Sequence, residues 1–353
     1  MLRILYLGDR NPISTSAHRA HALKRLGHHV TIEDPTDADR SALHSRWFGA
    51  LHFRTGYKFV QRKMLQWIYQ VIENIQQPDL IWVDSGELLG RECLKALKVF
   101  NCPIVLYNID DPTGKRDGKR FASLLNALSL YDLTVVVRNE SKTECLSLGA
   151  KRVMRVHRSY DEIAHRPFSD HSAIPEKYRS DVVFLGTWMR NEKRDEFLLQ
   201  LIESGINVNI WGDFWPKSRH FSKLKDHWRG TSLGGREYIA AIQGAKICLG
   251  LLSKGNRDLH TTRSFEIPYA GGLLCAERTS EHQELYKEGV EAAFWSDAAE
   301  CIEVCKNLLT NGNAEMLRQA GMQRVRSLNA GNEDVCRTII DAVFEPALVA
   351  KIG

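Results

Sequence analysis

Basic side chains follow an apolar run in the second half of the chain. The run DVVFLG predicts a strand that ends at Gly186, and Thr187, Arg190 and Arg194 follow at the start of a predicted helix. Arg190 and Arg194 are four positions apart, so they would share one face of that helix. A glycine-containing turn into a helix N-terminus offers free N–H groups and the positive end of the helix dipole. The pattern indicates a diphosphate site, with a solvated basic first turn as the alternative.

A carboxylate and a cation precede a pair of glycines further along. In RSFEIPYAGG, Arg263 and Glu266 are followed by Gly271 and Gly272, and Asp258 lies eight positions before Glu266. A carboxylate only accepts hydrogen bonds, so a vicinal diol such as a ribose is a natural partner for Glu266. The alternative is a helix-capping glutamate beside a surface arginine.

Two adjacent carboxylates end an apolar run in the first half. The run VLYNID predicts a strand, and Asp110 and Asp111 stand at its end. A carboxylate in this position can act as a general base that takes the proton of an attacking hydroxyl, and Asp110 is the stronger candidate. Because Asp-Pro is a turn signal, capping of the turn before Pro112 is the alternative.

The first predicted strand leads into a polar loop and a helix. Ser14 or Thr15 would cap that helix, and Arg19 and the strand-end residue His157 are weaker candidates for the acceptor side. Gly8 is the only glycine of the loop, so the G-x-G-x-x-G dinucleotide fingerprint is absent, which argues against an oxidoreductase.

Short apolar runs alternate with helical patterns along the whole chain, which predicts an α/β protein with parallel sheets covered on both faces. A polar stretch with two prolines interrupts the alternation, and afterwards it restarts on the same plan. We predict two doubly wound Rossmann-like domains facing across a cleft. The predicted boundaries are 1–165 and 181–330 for the domains, 166–180 for a linker, and 331–353 for a C-terminal helix that crosses back to the first domain.

Composition sets limits on the class of protein. The chain has 353 residues, 43% of them hydrophobic and 26% charged, and a net charge of +5, which is ordinary for a soluble globular protein. We expect a cytoplasmic protein without a transmembrane segment, with peripheral membrane contact left open. Eight cysteines without a C-x-x-C motif lead us to expect reduced thiols and no metal.

The second half resembles a known family. DVVFLGTW and HTTRSFEIPYAGGLLCAERTSEHQELYKEGVEAAFW look like the C-terminal half of nucleotide-sugar glycosyltransferases of the GT-B fold, in the group related to CgeB. The resemblance implies that Arg190, Arg194 and Arg263 hold the donor diphosphate and that Glu266 binds the ribose. The loop from Gly212 would lie near the base.

Part of the motif departs from the family pattern. Asp258 stands where larger retaining GT-B families have the first of two glutamates, so the resemblance implies for Asp258, as for Gly271 and Gly272, only a place near the base or the sugar of the donor. The N-terminal half is similar to that of phage DNA-base glucosyltransferases, which implies a general-base role for Asp110.

The resemblance implies a glycosyltransferase that uses a nucleoside-diphosphate sugar, with a UDP-sugar favoured, and neither cofactor nor metal. A glycan, a lipid-linked sugar or a modified DNA base would be the acceptor, and surface polysaccharide or glycoconjugate synthesis is the expected setting. A phage-type DNA-base glucosyltransferase is one alternative, with the basic stretches 54–63 and 115–120 tracking phosphates. A nucleotide-sugar epimerase and a non-catalytic nucleotide-sugar-binding protein are the others.

Overall fold

The computed structural model describes residues 1–344. The chain forms two compact units, here called the N unit and the C unit. Among the described residues, the N unit contains 1–157, 255–257 and Asn332–Phe344, whereas the C unit contains residues 158–254 and 258–331.

The N unit is built on a six-stranded parallel sheet of order β2-β1-β3-β4-β5-β6. Ligands of such sheets bind at the carboxyl ends of the strands, where the strand order reverses, here between β1 and β3. The strands are β1 (Arg3–Leu7), β2 (His29–Glu33), β3 (Leu80–Asp84), β4 (Ile104–Tyr107), β5 (Leu133–Val136) and β6 (Val153–Arg155). The helices between them are α1 (Thr15–Arg25), α2 (Arg40–His44), α3 (Arg46–Arg54), α4 (Gln61–Asn74), α5 (Arg91–Leu97), α6 (Ala122–Leu125) and α7 (Asn139–Ser147).

The central strands of the N unit are buried because helices cover both faces of the sheet. All five residues of β3 are buried. On one face the ring of Trp82 stacks between those of Tyr6 and Tyr107, with centroid distances of 6.3 Å and 5.8 Å. This aromatic layer lies beside the carboxyl end of the sheet and stiffens the strands that carry the candidate carboxylates.

The C unit has a second six-stranded parallel sheet, of order β12-β11-β10-β7-β8-β9, so its reversal lies between β7 and β10. The strands are β7 (Ser180–Leu185), β8 (Val208–Trp211), β9 (Trp228–Gly230), β10 (Ala245–Gly250), β11 (Leu274–Glu277) and β12 (Ala293–Trp295). The helices are α8 (Arg194–Glu203), α9 (Phe221–Leu224), α10 (Gly235–Gly244), α11 (Arg263–Tyr269), α12 (Ser280–Leu285), α13 (Ala298–Thr310) and α14 (Ala314–Ser327).

The stretch expected to contain the linker packs into the C unit. Tyr160, Ile174 and Tyr178 belong to the C unit's apolar core, and short 3-10 turns form at His171–Ala173 and Glu176–Tyr178. The sequence did not predict that these residues are buried, because the stretch is mostly polar and its few apolar residues follow neither a helical nor a strand period.

The last helix, α15 (Asn332–Phe344), belongs to the N unit. Its apolar side, with Val335, Cys336 and Ile339, packs in the same cluster as Ala20 and Leu23 of α1. Residues 345–353 of the predicted C-terminal helix lie outside the described residues.

Other elements differ from the predicted pattern. Apolar residues at helical spacing predict one helix over about 56–76, but α4 begins only at Gln61, and α3 precedes it. The polar loop after Gly212 contains α9 and the edge strand β9. None of the helices within residues 1–344 is long and apolar enough to cross a bilayer.

Candidate active site

Arg194 joins the two strands at the reversal of the C-unit sheet. Its guanidinium donates to the carbonyl of Thr187 after β7, at 2.9 Å, and to the carbonyl of Leu252 after β10, at 3.2 Å. The side chain is buried. Both of these hydrogen bonds go to backbone carbonyls, so Arg194 fixes the strand ends that would present a ligand.

The predicted shared helical face of Arg190 and Arg194 is wrong. Helix α8 begins only at Arg194, because Asn191 and Lys193 adopt left-handed backbone angles, with φ of +71° and +53°. Arg190 lies in the preceding turn, is exposed, and forms no ion pair with any residue of the described chain. The first turn of α8 also carries Asp195, whose carboxylate accepts from Trp188 Nε1 at 3.0 Å.

Glu266 is held by two donors from different segments. Its Oε2 accepts a hydrogen bond of 2.7 Å from the Tyr238 hydroxyl of α10, and its Oε1 lies 3.3 Å from Nε2 of His165. His165 Nδ1 accepts from the backbone N–H of Asp161 at 2.8 Å, so a neutral ring carries its hydrogen on Nε2, the nitrogen that faces Glu266. Each carboxylate oxygen keeps capacity for a further donor, as binding of a diol requires.

Arg263 is the first residue of α11 and lies one helical turn before Glu266. The side chain is half-buried and forms no ion pair within residues 1–344, and its Nε is buried without a hydrogen-bond partner there. Its positive charge is close enough to lower the pKa of Tyr238, against the larger opposing effects of burial and Glu266. An unneutralised guanidinium beside a carboxylate suits a ligand that has both an anion and hydroxyl groups.

Asp258 already has a cationic partner. Its Oδ1 accepts from the Arg158 guanidinium at 3.0 Å, and both side chains are largely buried. The backbone N–H of Arg158 donates to His260 Nε2 at 3.1 Å. Asp258 and His260 thus shape the loop that leads into α11.

The glycines of the C unit serve close packing. A Cβ on Gly212, where φ is +154°, would lie 2.1 Å from the carbonyl oxygen of Gly186, so a larger residue does not fit. A Cβ on Gly272 would lie 2.6 Å from Ile242, and Gly271 ends α11 with φ of +83°. These contacts and backbone angles explain Gly212, Gly271 and Gly272 without a ligand.

A cavity of about 410 Å³ lies at the carboxyl ends of β10, β11 and β12. Arg194, Leu252, Glu277 and Trp295 are among the residues that line it, whereas Arg263 and Glu266 are not. The predicted donor residues are therefore not gathered around this one cavity.

Asp110 and Asp111 have different surroundings in the N unit. The buried Asn108 side chain accepts from the backbone N–H of Asp110 at 2.9 Å and so fixes that turn. The Asp110 carboxylate keeps 28% of its side-chain surface exposed and lies 3.3 Å from the Arg120 guanidinium. Asp110 can thus reach a solvent-borne acceptor.

Asp111 forms a buried ion pair that involves both of its carboxylate oxygens. Its side chain is 2% exposed, and Arg257 donates to both oxygens, at 2.8 Å from Nε and 2.6 Å from Nη2. Arg257 also bonds Glu144 and holds the pKa of that carboxyl below its usual range. A bidentate buried carboxylate is a poor proton acceptor, so Asp110 is the better candidate base.

Arg19 has a structural role. Its guanidinium donates to both oxygens of Asp84 at the end of β3, at 2.7 Å and 2.9 Å, and both side chains are buried. The Tyr6 hydroxyl donates to the same carboxylate at 2.6 Å. The pair braces β1, α1 and β3 below the strand ends.

The remaining acceptor-side candidates lie at element ends. Ser14 caps α1, since its hydroxyl accepts from the Ala17 N–H at 3.0 Å, and Thr15 is the first helical residue. His157 follows β6 and is half-buried. A pocket of about 130 Å³ lies at the carboxyl ends of β1 and β3 and is lined by residues that include Gly8 and Glu87.

A cluster of thiols could hold a metal ion. Within residues 1–344, only the sulfur atoms of Cys275, Cys301 and Cys305 form such a group, and they lie within 4.8 Å of one another. All three are buried in the apolar core of the C unit. The sequence spacing of Cys301 and Cys305 did not reveal this cluster, because Cys275 comes from a strand.

Sequence reasoning missed His165, Tyr238 and Arg257. Their partners are distant in sequence: 28 positions separate Tyr238 from Glu266, and 146 separate Arg257 from Asp111. Only the tertiary fold brings them together, and no local motif marks them.

Residues 190–334 match the family model described as glycosyl transferase-like. This stretch contains Arg190, Arg194, Arg263 and Glu266, and its similarity to that family supports the predicted glycosyltransferase class. No curated protein matches the sequence.

Solved structures share the whole architecture at low identity. Sucrose-phosphate synthase from Thermosynechococcus elongatus superposes with a TM-score of 0.67 at 12% identity, covering 99% of this chain and 100% of that one. HepE of Anabaena in complex with UDP-glucose has a TM-score of 0.65 at 13% identity, covering 97% and 99%. The Escherichia coli trehalose-6-phosphate protein bound with UDP-2-fluoro glucose has 0.62 at 13%, also covering 97% and 99%. The predicted GT-B fold is confirmed.

Proposed function

We propose that the protein transfers a sugar from a nucleoside-diphosphate sugar to a hydroxyl group of an acceptor. The observation that carries the proposal is the Glu266 carboxylate, which Tyr238 and His165 approach, one turn after Arg263, which forms no ion pair in the described part of the chain. The two ribose hydroxyls would donate to Glu266, and the diphosphate would meet Arg263.

We favour a uridine nucleotide as the donor. Two of the similar structures contain UDP-glucose or a fluorinated analogue of it, and they share the fold over nearly the whole chain. The sequence resemblance to CgeB-like glycosyltransferases supports the same donor class.

Positive charge for the departing diphosphate would come from two arginines. Arg263 is half-buried and Arg190 is exposed, and neither has an ion-pair partner in the described part of the chain. Arg194 would act indirectly, by holding the ends of β7 and β10. Fixed cations of this kind stabilise the charge that develops on the leaving group.

In the proposed reaction, the acceptor oxygen bonds to the anomeric carbon while the bond from that carbon to the diphosphate oxygen breaks. The electron pair leaves with the nucleoside diphosphate. If the configuration inverts, Asp110 takes the acceptor proton as general base. If it is retained, the departing phosphate takes the proton and Asp110 orients the acceptor.

We place the acceptor among surface polysaccharides or glycoconjugates and the protein in the cytoplasm, on the CgeB-like resemblance. The runner-up, a DNA-base glucosyltransferase, needs cations free to follow phosphates. In the stretch 115–120, Arg116 and Arg120 pair with Asp117, and Arg120 also pairs with Glu87. These internal ion pairs count against a phosphate-tracking role for Arg116 and Arg120, whereas Arg54, Lys58 and Arg62 of the other basic stretch are exposed.

A thermal-shift series with UDP-, GDP-, ADP- and TDP-sugars tests the donor. A nucleotide at 100 times its dissociation constant adds about 2.7 kcal/mol of stability, and we expect this for the UDP-sugar. Glu266→Gln should remove the shift, whereas the exposed Glu284→Gln should keep it. Absence of a shift with all four nucleotides would overturn the proposal.

Release of nucleoside diphosphate tests the transfer itself. We expect release to accelerate when an acceptor is added, and to continue after treatment with a chelator. An epimerase would convert the donor without any acceptor, and a binding protein would release nothing.

A further inference from the structure

One stretch of the N unit combines exposed aromatic residues with unbalanced positive charge. From Arg40 to Ile72 the chain contains no Asp or Glu, although the whole sequence has 43 of them in 353 residues. Arg40 and Lys63 pair with Asp37 and Asp39. The other basic residues of the stretch are Arg46, Arg54, Lys58 and Arg62, which are exposed and form no ion pair with any described residue.

Helix α3 turns its apolar side to solvent. Trp47 is 81% exposed, Phe48 61% and Leu51 47%, while His52 is the buried residue of the helix. A Cβ on Gly49 would lie 2.6 Å from the Leu43 carbonyl oxygen, so the side with Gly49 and His52 packs inward against the protein.

The exposed surface continues past the end of α3. Phe59, in the turn before α4, is 59% exposed, and the Lys58 ammonium lies 4.8 Å from the centre of its ring. We call the set Trp47, Phe48, Leu51, Phe59, Arg46, Arg54, Lys58 and Arg62 the aromatic–basic face. Large apolar side chains rimmed by charges mark interaction sites, because a monomer gains nothing from exposing them.

We propose that the aromatic–basic face docks the protein on an anionic lipid surface. A helix that lies in a bilayer interface has Trp, Phe and Leu on one side and Lys and Arg beside them, so that the rings enter the headgroup region while the cations meet lipid phosphates. The charge is complementary to acidic lipids over the whole face. The proposal is independent of the transfer reaction, since docking requires neither donor nor acceptor.

Flotation with vesicles tests the docking. The full-length protein should float with vesicles of phosphatidylglycerol and phosphatidylcholine, and much less with phosphatidylcholine alone. Raised salt should weaken the binding. Trp47→Ser combined with Phe48→Ser should reduce the affinity at least tenfold, on the order of the transfer energy of two large side chains.

Charge is tested separately by Arg54→Gln combined with Lys58→Gln. We expect roughly a fivefold loss for each cation removed, and the matched control Lys142→Gln combined with Lys306→Gln, exposed elsewhere, should bind as the wild type does. Val99→Ser combined with Met316→Ser is the control for exposed apolar residues. UDP-dependent thermal shifts should stay unchanged in every variant, which separates this test from that of the proposed function.

Three outcomes would overturn the proposal. The first is failure of the wild type to float with the anionic vesicles, and the second is equal flotation of the Trp47→Ser/Phe48→Ser variant. The third is a nucleic-acid or self-association role, seen as DNA binding or dimer formation that these substitutions abolish while vesicle binding persists.

Discussion

The hydroxyl of Tyr238 donates a 2.7 Å hydrogen bond to Oε2 of Glu266. Burial, and then the nearby Glu266 carboxylate, raises the pKa of Tyr238 well above its ordinary value, so the phenol stays protonated and remains a donor. His165 approaches the other carboxylate oxygen. The plane of the Glu266 carboxylate is thus set before any ligand arrives, which lowers the cost of ordering it on binding.

Tyr238→Phe should weaken nucleotide binding while leaving Glu266 in place. Loss of one hydrogen bond to a charged group is worth about 1.5–3 kcal/mol, so we expect roughly a tenfold or greater rise in the dissociation constant for UDP, measured by calorimetry. Tyr69→Phe, on the exposed side of α4, serves as the control. Unchanged affinity in Tyr238→Phe would show that Glu266 needs no such support.

Substitutions of Arg194 and Arg263 should have different effects: the first should reduce the stability of the fold, and the second should weaken nucleotide binding. Arg194→Gln leaves two strand-end carbonyls without their donor, so we expect the free energy of unfolding to fall by about 2–3 kcal/mol in denaturant titrations. Arg263→Gln should change it by less than about 0.5 kcal/mol but weaken UDP binding at least tenfold. The reverse result would show that Arg194 binds the diphosphate and that Arg263 stabilises the fold.

The Arg278–Glu300 pair predicts a pH dependence of stability. Hydrogen bonds from Arg278 lower the pKa of Glu300 to about 2, from an ordinary value of 4.5. Because the folded-state pKa is depressed, the stabilisation is complete above about pH 4.5 and is lost as the pH falls towards 2. In Arg278→Gln, the melting temperature should therefore differ most from the wild type at neutral pH, and the difference should shrink through this window.

Salt and a second ion pair serve as controls for this effect. Both side chains are partly exposed, so raised salt should reduce the difference without abolishing it. Lys223→Gln breaks the exposed pair with Glu203 and should give no comparable dependence. A constant difference between the wild type and Arg278→Gln from pH 7 to pH 2 would contradict the assignment.

The strands were predictable because parallel sheets covered on both faces need continuous apolar runs. VLYNID contains most of β4 and DVVFLG contains most of β7 for this reason. The start of α8 was not predictable. It depends on the left-handed backbone angles of Asn191 and Lys193, and the spacing of apolar residues gives no information about such angles.

Candidate residues were predictable by type and position, but their partners were not. Asp110 and Asp111 are adjacent in the sequence, and it is the contact of Asp111 with Arg257, 146 positions away, that leaves one carboxylate partly exposed and the other buried. The sequence analysis named Arg19 as a candidate for the acceptor side, but in the structure its guanidinium forms an ion pair with Asp84. Long-range ion pairs of this kind leave no trace in local spacing.

The two adjacent aspartates give the sharpest test of the catalytic assignment. Asp110→Asn keeps the shape of the side chain and removes the base, so we expect kcat to fall at least about 100-fold with the melting temperature near that of the wild type. Asp111→Asn should do the opposite. It breaks a bidentate pair with Arg257 and should destabilise the fold by about 2 kcal/mol, discounted from a fully buried pair because Arg257 is partly exposed, while kcat stays within a few-fold. Acceptor-dependent UDP release and thermal melts on the same preparations measure both, and loss of kcat in Asp111→Asn alone would move the base to that residue.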